Sequence, residues 1–500
     1  MARRHNSAME PHSHLQERAP TRGQQVATTG IAAETTGTAE APAAPGVILT
    51  SSQRASRPTV ATGWPMAPGE GPPRCAASSP RPSACVGTSK SKPPRRVSPP
   101  IGLQPVLPPP ATAWWRWSRS WRLSPAPNTA QNIEQPSLVL ALRDAHQVIC
   151  GQLAELLDGL ADLAERTADD VEPGRTHWQH AVPITFGFKV AAWIDQMIRH
   201  LDRLQQVAPR LFTSMTGGAA GTFASLGPQA PQVQAGVARL LGLEPMAVPS
   251  RAIVDHFAEF VCVLGLISAT AASMAEEVAR LMSAEYGEVS EPIPPGDVGS
   301  STTPQKRNSK LSGGVVIFAA QARAAVPMAI DAIIQSHEVG GTRSVLMEHA
   351  LEQACVGTAE ALSMLIRIVA GLEVYGDRMR ANLDLTAGLI NAEAVMLALA
   401  RSVGRQEAHH IVHDAATKVA TGVAERFDYA LLADPQAAAA LDHHELALLL
   451  DPTNCTGLSS QIAYETSARV RQTVKEWRAR GGPQRSEDTR SGRPARSAGS

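Results

Sequence analysis

Net charge is what this 500-residue chain lacks most plainly, since 46 Lys and Arg balance 46 Asp and Glu. That balance excludes the overall basic footprint expected of a nucleic-acid binder or of a protein riding an anionic membrane. Long apolar runs are also missing. Read as a string, the chain has no stretch of about 18 apolar residues, which predicts no membrane span. The N-terminus, MARRHNSAME, lacks the apolar core of a secretory signal. The six cysteines, Cys75, Cys85, Cys150, Cys262, Cys355 and Cys455, lie scattered without metal-ligand spacing and fit reduced, buried thiols of a cytoplasmic protein. There is no Walker loop, no dinucleotide fingerprint and no metal cluster, so no cofactor is expected. His409, His410 and His413 stand at helical spacing but read as a solvated face.

The charge that is present is unevenly placed. Residues 1–127 hold 15 Lys and Arg against 5 Asp and Glu, and 21 of the 38 prolines, with no sustained apolar period. Too little periodic apolar surface exists there to offset the entropy of ordering, so the segment is expected to be disordered, as is the tail of residues 481–500. Glu10 and Glu17 speak against a transit peptide. Trp114, Trp115, Trp117 and Trp121, interleaved with Arg116, Arg119 and Arg122, leave open a contact with membrane or RNA.

From Gln131 onward helical periodicity takes over. Leu142, Ala145, Ile149, Leu153, Leu156, Leu160 and Leu163 recur at steps of three and four, the seam of a long amphipathic helix. Four more long stretches follow, at Pro183–Val207, Ser250–Glu285, Gly313–His337 and Ser344–Val374, rich in Ala, Leu, Val and Met. The expectation is an all-α fold, a long-helix bundle over residues 128–374 with Ala-rich close packing, followed by a smaller helical domain over residues 375–480.

Three polar islands punctuate these helices. The most informative is GSSTTPQKRNSK, Gly299–Lys310, which sets hydroxyls, a lysine and an asparagine on a short loop directly before an apolar helix. Free backbone N–H groups, the Lys306 ammonium and the Asn308 amide suit such a loop to holding a carboxylate. The plainer alternative is a turn and helix cap. The second island, GRTHWQHAVPITFG, Gly174–Gly187, reads as a loop carrying Arg175, Thr176, His177, Gln179 and His180. A lone histidine there would be a solvated side chain; two beside Thr and Arg point toward a site. The third, PNTAQNIEQPS, Pro127–Ser137, heads the first long helix as an N-cap region or a further part of the site.

In this order the islands resemble the fumarase/aspartase superfamily. GSSTTPQKRNSK is similar to its GSSxMPxKxNP signature, GRTHWQHA to its G-x-T-H-x-Q-x-A loop, and TAQNIEQP to its T-S/T-Q-D/N-I-x-x-T loop. TGGAAGTFASLG, Thr216–Gly227, and YGEVSEP, Tyr286–Pro292, also stand where the family has similar stretches. The likeness covers roughly residues 128–480 and lies nearest the 3-carboxy-cis,cis-muconate cycloisomerase and adenylosuccinate lyase branches. RMRANLDLTAGLINAEAVMLALA and LDPTNCTGLSSQIAYETSARVR resemble the cycloisomerase side.

The resemblance implies an enzyme that adds or removes a nucleophile across a carbon–carbon double bond beside a carboxylate, through a stabilised carbanion. It matches Ser300 to the catalytic base, activated by a helix N-terminus and Lys306, and His177 to the acid or substrate-orienting group. Thr129, Gln131, Arg175, Thr176, Ser301, Lys306 and Asn308 fall at carboxylate-binding positions. It further implies a homotetramer whose sites draw loops from three subunits, a small polycarboxylate substrate, and neither nucleic-acid nor membrane partners. Gly313 stands where adenylosuccinate lyases and fumarases carry the glutamate that orients the histidine, which favours the cycloisomerase branch. Thr303 and Ser309 replace the signature Met and Pro, and Pro136 replaces the first loop's terminal Thr. Nothing in residues 1–127 resembles the family's N-terminal domain. An inactive member kept for a structural role and a nucleic-acid binder acting through the basic N-terminus remain as alternatives.

Overall fold

The computed structural model describes residues 129–293, 300, 302–303 and 305–480. The basic N-terminal segment with its expected disorder and tryptophan cluster, the tail after Arg480, residues 294–299, Ser301 and Pro304 lie outside the described residues.

Thirteen α-helices run through the described residues: α1 (Gln131–Arg166), α2 (Phe186–Leu211), α3 (Ala230–Leu241), α4 (Asp255–Leu281), α5 (Lys310–Ala332), α6 (Gly341–Gly371), α7 (Gly376–Leu383), α8 (Ala392–Val403), α9 (Arg405–Ala420), α10 (Phe427–Leu432), α11 (Pro435–Ala440), α12 (His443–Leu450) and α13 (Ser459–Ala479). The fold is all-α. The long helices α1, α2, α4, α5 and α6 form the bundle. Every residue of the seam read from Leu142 to Leu163 is buried, because steps of three and four place them on one side of α1.

Close packing rests on small residues. Along α5 the buried positions Ala319, Ala322, Ala325, Ala329 and Ala332 form a narrow stripe. Opposite it, a Cβ built at Gly357 of α6 would lie 2.8 Å from the Phe318 carbonyl oxygen and 3.0 Å from the Ala322 nitrogen. The two backbones approach so closely that only glycine fits. Polar links fix the register: the Ser268 and Thr358 hydroxyls of α4 and α6 meet at 2.9 Å, and the Gln152 amide of α1 donates to the Ala359 carbonyl at 3.0 Å.

The apolar helices correct one expectation. Alanine, glycine and threonine dilute the apolar runs in the string, yet α4, α5 and α6 are each long and apolar enough to cross a membrane by length and composition. In α4 and α6 more than half of the most apolar window is buried within the chain, against 28% in α5. Ile317 and Ile330 of α5, and Ile334 just beyond its C-terminus, remain exposed.

A second core, built on Val395, Leu399, Ile411, Phe427, Leu431 and Leu446, joins the short helices between Leu389 and Leu450. The last helix, α13, returns to the bundle, where Val470, Val474 and Trp477 enter the main core and the Ser467 hydroxyl donates to the Ala161 carbonyl at 3.0 Å.

Short β-ribbons stand at the helix ends. Strands β1 (Val171–Thr176) and β2 (Gln179–Thr185) form an antiparallel hairpin, β3 (Thr213–Ser214) and β4 (Glu244–Pro245) a parallel pair, and β5 (Val289–Ser290) and β6 (Glu373–Val374) an antiparallel one. The stretch read as a loop at Gly174–Gly187 is therefore a hairpin. Thr176 pairs with Gln179, so its connection is only His177 and Trp178, both left-handed at φ 47° and 66°. That is the geometry of a type I′ turn, whose usual signal is Asn-Gly. Without that signal the segment looked irregular in the sequence.

Candidate active site

The first island is already helical. Only Thr129 and Ala130 precede α1; the Thr129 carbonyl accepts the Asn132 N–H at 3.1 Å, while its hydroxyl is buried without a hydrogen-bond partner. Gln131 opens the helix and is half-buried. Its neighbours do the anchoring. Asn132 Oδ1 accepts the Gly218 N–H at 3.0 Å, and the Gln135 amide donates to the Thr213 carbonyl and accepts the Met215 N–H, both at 3.0 Å. The head of α1 is thus fastened to the start of the Thr216–Gly227 stretch.

The hairpin tip presents Thr176, His177 and Trp178, all exposed, with Arg280 over the Trp178 ring at 5.4 Å. Two non-glycine residues in the left-handed region cost energy and persist where surrounding structure holds them. The holding group lies beneath. Arg175 makes a two-pronged ion pair with Glu288, at 2.9 and 2.5 Å, and stacks 4.7 Å above Tyr286. Asn382 of α7 donates to the same carboxylate at 2.7 Å. Arg175 was expected to bind substrate; its guanidinium is instead committed to Glu288, because a fully buried carboxylate takes the nearest planar fork of donors.

Beside this pair lies a second buried group. The Lys189 ammonium sits 3.2 Å from Glu172 and 2.7 Å from Glu277. Burial alone would lower Lys189, yet Glu172 and Glu277 together raise it and keep it charged. Burial works against Glu277 too, but Lys189 holds it below the ordinary carboxylate range. Glu172 is the odd carboxylate. Burial, with the added repulsion of Glu288, outweighs Lys189 and pushes it up to about 7. The His180 ring, opposite Arg175 in the ladder, is lowered by burial and then by the Arg175 charge, so it is held neutral.

The signature loop supplies the remaining candidates. Ser300 is half-buried and its hydroxyl accepts the Thr303 N–H at 3.2 Å; the Thr303 carbonyl accepts the Lys306 N–H at 3.0 Å. Two consecutive turns thus lead from the serine to the lysine. Lys306 and Asn308 are exposed, and Arg307 docks the loop on β6 through Glu373 at 3.2 Å. Ser301 lies outside the described residues. The helix N-terminus expected to favour a serine alkoxide is occupied. Glu291 accepts from Leu311 N–H at 2.8 Å, Ser312 N–H at 2.9 Å and the Ser312 hydroxyl at 2.7 Å, filling the first turn of α5 with its own carboxylate. Lys306 remains as the cationic side chain of that loop nearest in sequence to the serine.

Among the described residues no hydrogen bond joins Thr129, His177 and Ser300 to one another within the chain. Thr129 stands at the head of α1, His177 at the tip of the β1–β2 hairpin, and Ser300 and Lys306 on the loop before α5. Glu172, Lys189, Glu288, Glu291 and Asn382 were missed as functional residues. Their signal was faint: two acids in the short YGEVSEP stretch just before the signature.

A lyase model matches residues 129–314, spanning all three islands, and an adenylosuccinate lyase C-terminus model matches residues 388–466. The chain is 40% identical over 335 residues to 3-carboxy-cis,cis-muconate cycloisomerase of Pseudomonas aeruginosa, a match covering 66% of this chain and 72% of that protein. The chain belongs to the fumarase/aspartase superfamily. Adenylosuccinate lyase of Methanocaldococcus jannaschii is 34% identical over 340 residues, covering 67% of this chain and 73% of that relative. The crystal structure of 3-carboxy-cis,cis-muconate lactonizing enzyme from Pseudomonas putida superposes with a TM-score of 0.65 at 34% identity, over 70% of this chain and 77% of that one. As a superfamily member the chain is a lyase or cycloisomerase.

Proposed function

We propose that this lyase acts on a small polycarboxylate in the manner of a 3-carboxy-cis,cis-muconate cycloisomerase, as a homotetramer whose sites combine loops of different subunits. The observation that carries the reading is the presentation of His177 on a rigid hairpin tip and of Ser300 and Lys306 on successive turns of one loop. In this reading Ser300 takes the proton from the carbon beside a carboxylate. The electron pair left on that carbon is delocalised into the carboxylate, which Lys306, Asn308, Ser301, Thr129, Gln131 and Thr176 hold. His177 delivers a proton to the departing oxygen or nitrogen as the pair returns to form the double bond; addition runs the same steps backward. Arg175 serves by fixing the hairpin, not by touching substrate.

Assembly is supported by the apolar residues left exposed on the bundle. Ile317 and Ile330 of α5, Ile334 just past its end, and Val345 and Val356 of α6 are exposed apolar side chains of the kind buried between subunits. A depression of about 450 Å³ between these helices, lined by Gln321, Met328, His349 and Glu352 among others, holds none of the candidate residues.

A second reading, an adenylosuccinate lyase-like carbon–nitrogen lyase, draws on the C-terminal match at residues 388–466. A substrate panel separates the two. Loss of the absorbance of 3-carboxymuconate favours the first, and release of fumarate from a succinyl-substituted amine the second. Ser300→Ala should abolish either. A folded tetramer that turns over neither substrate sinks both and leaves a structural role.

A further inference from the structure

One short segment between α4 and the signature loop grips both elements that carry the proposed acid and base. It runs from Glu288 to Glu291, and its middle forms β5 against β6. Glu288 is fully buried and receives the two prongs of Arg175 and the Asn382 amide, three donors from the hairpin and α7. Glu291, also buried, receives two backbone N–H groups and one hydroxyl from the first turn of α5. Both carboxylates are therefore satisfied by groups in fixed places, and neither is among the residues assigned to substrate. A buried carboxylate with three donors tolerates little movement of those donors, because any donor that leaves exposes an uncompensated charge. Glu291 in addition ties the segment that precedes the signature loop to Leu311 and Ser312, just past the loop's end.

We propose that Glu288 and Glu291 are positioning residues for the reaction, Glu288 setting the hairpin that presents His177 and Glu291 setting the loop that presents Ser300, Lys306 and Asn308. The inference rests on the lyase reading above. It assigns the two glutamates different kinetic signatures. Misplacing a proton donor lowers turnover and leaves substrate affinity largely alone, whereas misplacing carboxylate-binding groups weakens binding as well.

The test is steady-state kinetics on the full chain with whichever substrate the unsubstituted protein turns over, alongside succinate as a non-reacting competitor. Glu288→Gln keeps the shape but turns an amide N–H₂ toward Arg175. It should lower kcat on the order of tenfold to a hundredfold with KM and succinate inhibition within about threefold, because the hairpin tip carries only Thr176 of the groups assigned to the carboxylate. Glu291→Gln moves the base Ser300 together with Lys306 and Asn308, so it should lower kcat on the order of tenfold and also raise KM and the succinate inhibition constant on the order of tenfold. If either variant fails to fold, Asn382→Ala and Ser312→Ala remove one donor each and should show the same split, weakened to a few-fold. A merely structural role would reduce the yield of folded protein and leave both kcat per folded molecule and KM of the remainder unchanged, and that result overturns the proposal. So does retention of kcat and KM within about twofold by folded variants. No turnover by the unsubstituted chain overturns the lyase reading and this inference with it, so the two failures are told apart.

Discussion

Glu172 carries the sharpest prediction at the scale of single residues. Its carboxyl sits at about 7 in the fold against 4.5 in the open chain. Between those values the unfolded chain has released a proton that the folded chain retains. The contribution to stability is therefore fully present below pH 4.5 and fades as pH rises toward 7, by an amount on the order of 3 kcal/mol. Glu172→Gln removes the titrating group. Thermal unfolding midpoints at pH 5 and pH 7.5 should show the unsubstituted chain losing more stability across that interval than the variant; parallel losses would remove Glu172 as the cause. Cys150 and Cys355, whose thiols burial pushes up to about 12, should be unreactive toward alkylating reagents in the folded protein at neutral pH, as thiol counting before and after denaturation would reveal. At this scale the sequence already displayed Ser300, His177 and Lys306, because their spacing is local. Glu288 and Glu291 were not legible as positioning groups. Their meaning depends on Arg175 and Asn382, which are 113 and 94 residues away from Glu288.

Helix elements fail or hold at their glycines. Gly313 lies in the first turn of α5, is exposed, and a Cβ there would meet nothing within 4 Å. Gly313→Ala should stabilise the protein by about 0.5–1 kcal/mol through the lower entropy cost of alanine in a helix, read as a raised midpoint of thermal unfolding. Gly357→Ala should do the opposite. Its methyl would press on the α5 backbone at Phe318 and Ala322 and cost roughly 1–3 kcal/mol, with a lowered midpoint. The α1 seam was readable residue by residue, since an apolar step of three and four has one geometric meaning in a helix. The hairpin was not, because a two-residue turn built from His177 and Trp178 lacks the Asn and Gly that make such turns visible. The start of α1 at Gln131 was legible from its period, but its anchoring was not, for a related reason. Asn132, Gln135 and Pro136 look like loop residues until their partners at Thr213, Met215 and Gly218 are known.

At the scale of the whole molecule, the exposed apolar residues of α5 and of the turn after it carry the prediction for the proposed tetramer. Ile317 is 60% exposed and Ile334 65%. Charged substitutions at both, Ile317→Asp with Ile334→Asp, should shift the mass in solution from tetramer to smaller species and remove turnover along with it, since in the proposed tetramer each site draws loops from more than one subunit. Light scattering coupled to gel filtration reads the mass. An unsubstituted chain that is monomeric yet active would overturn the shared-site reading.

By itself the sequence determined the all-α class, the register of the long helices and the identity of the three polar islands. Each of these rests on spacing within a few residues, and local spacing survives without any knowledge of the fold. Only the tertiary structure decided that Arg175 holds a glutamate in place of a substrate, that the N-terminus of α5 is filled by Glu291, and that one short segment fastens both proposed catalytic elements. Those facts come from donors and acceptors that burial forces together across about a hundred residues of chain, where a buried charge settles on whichever partner the fold brings within reach.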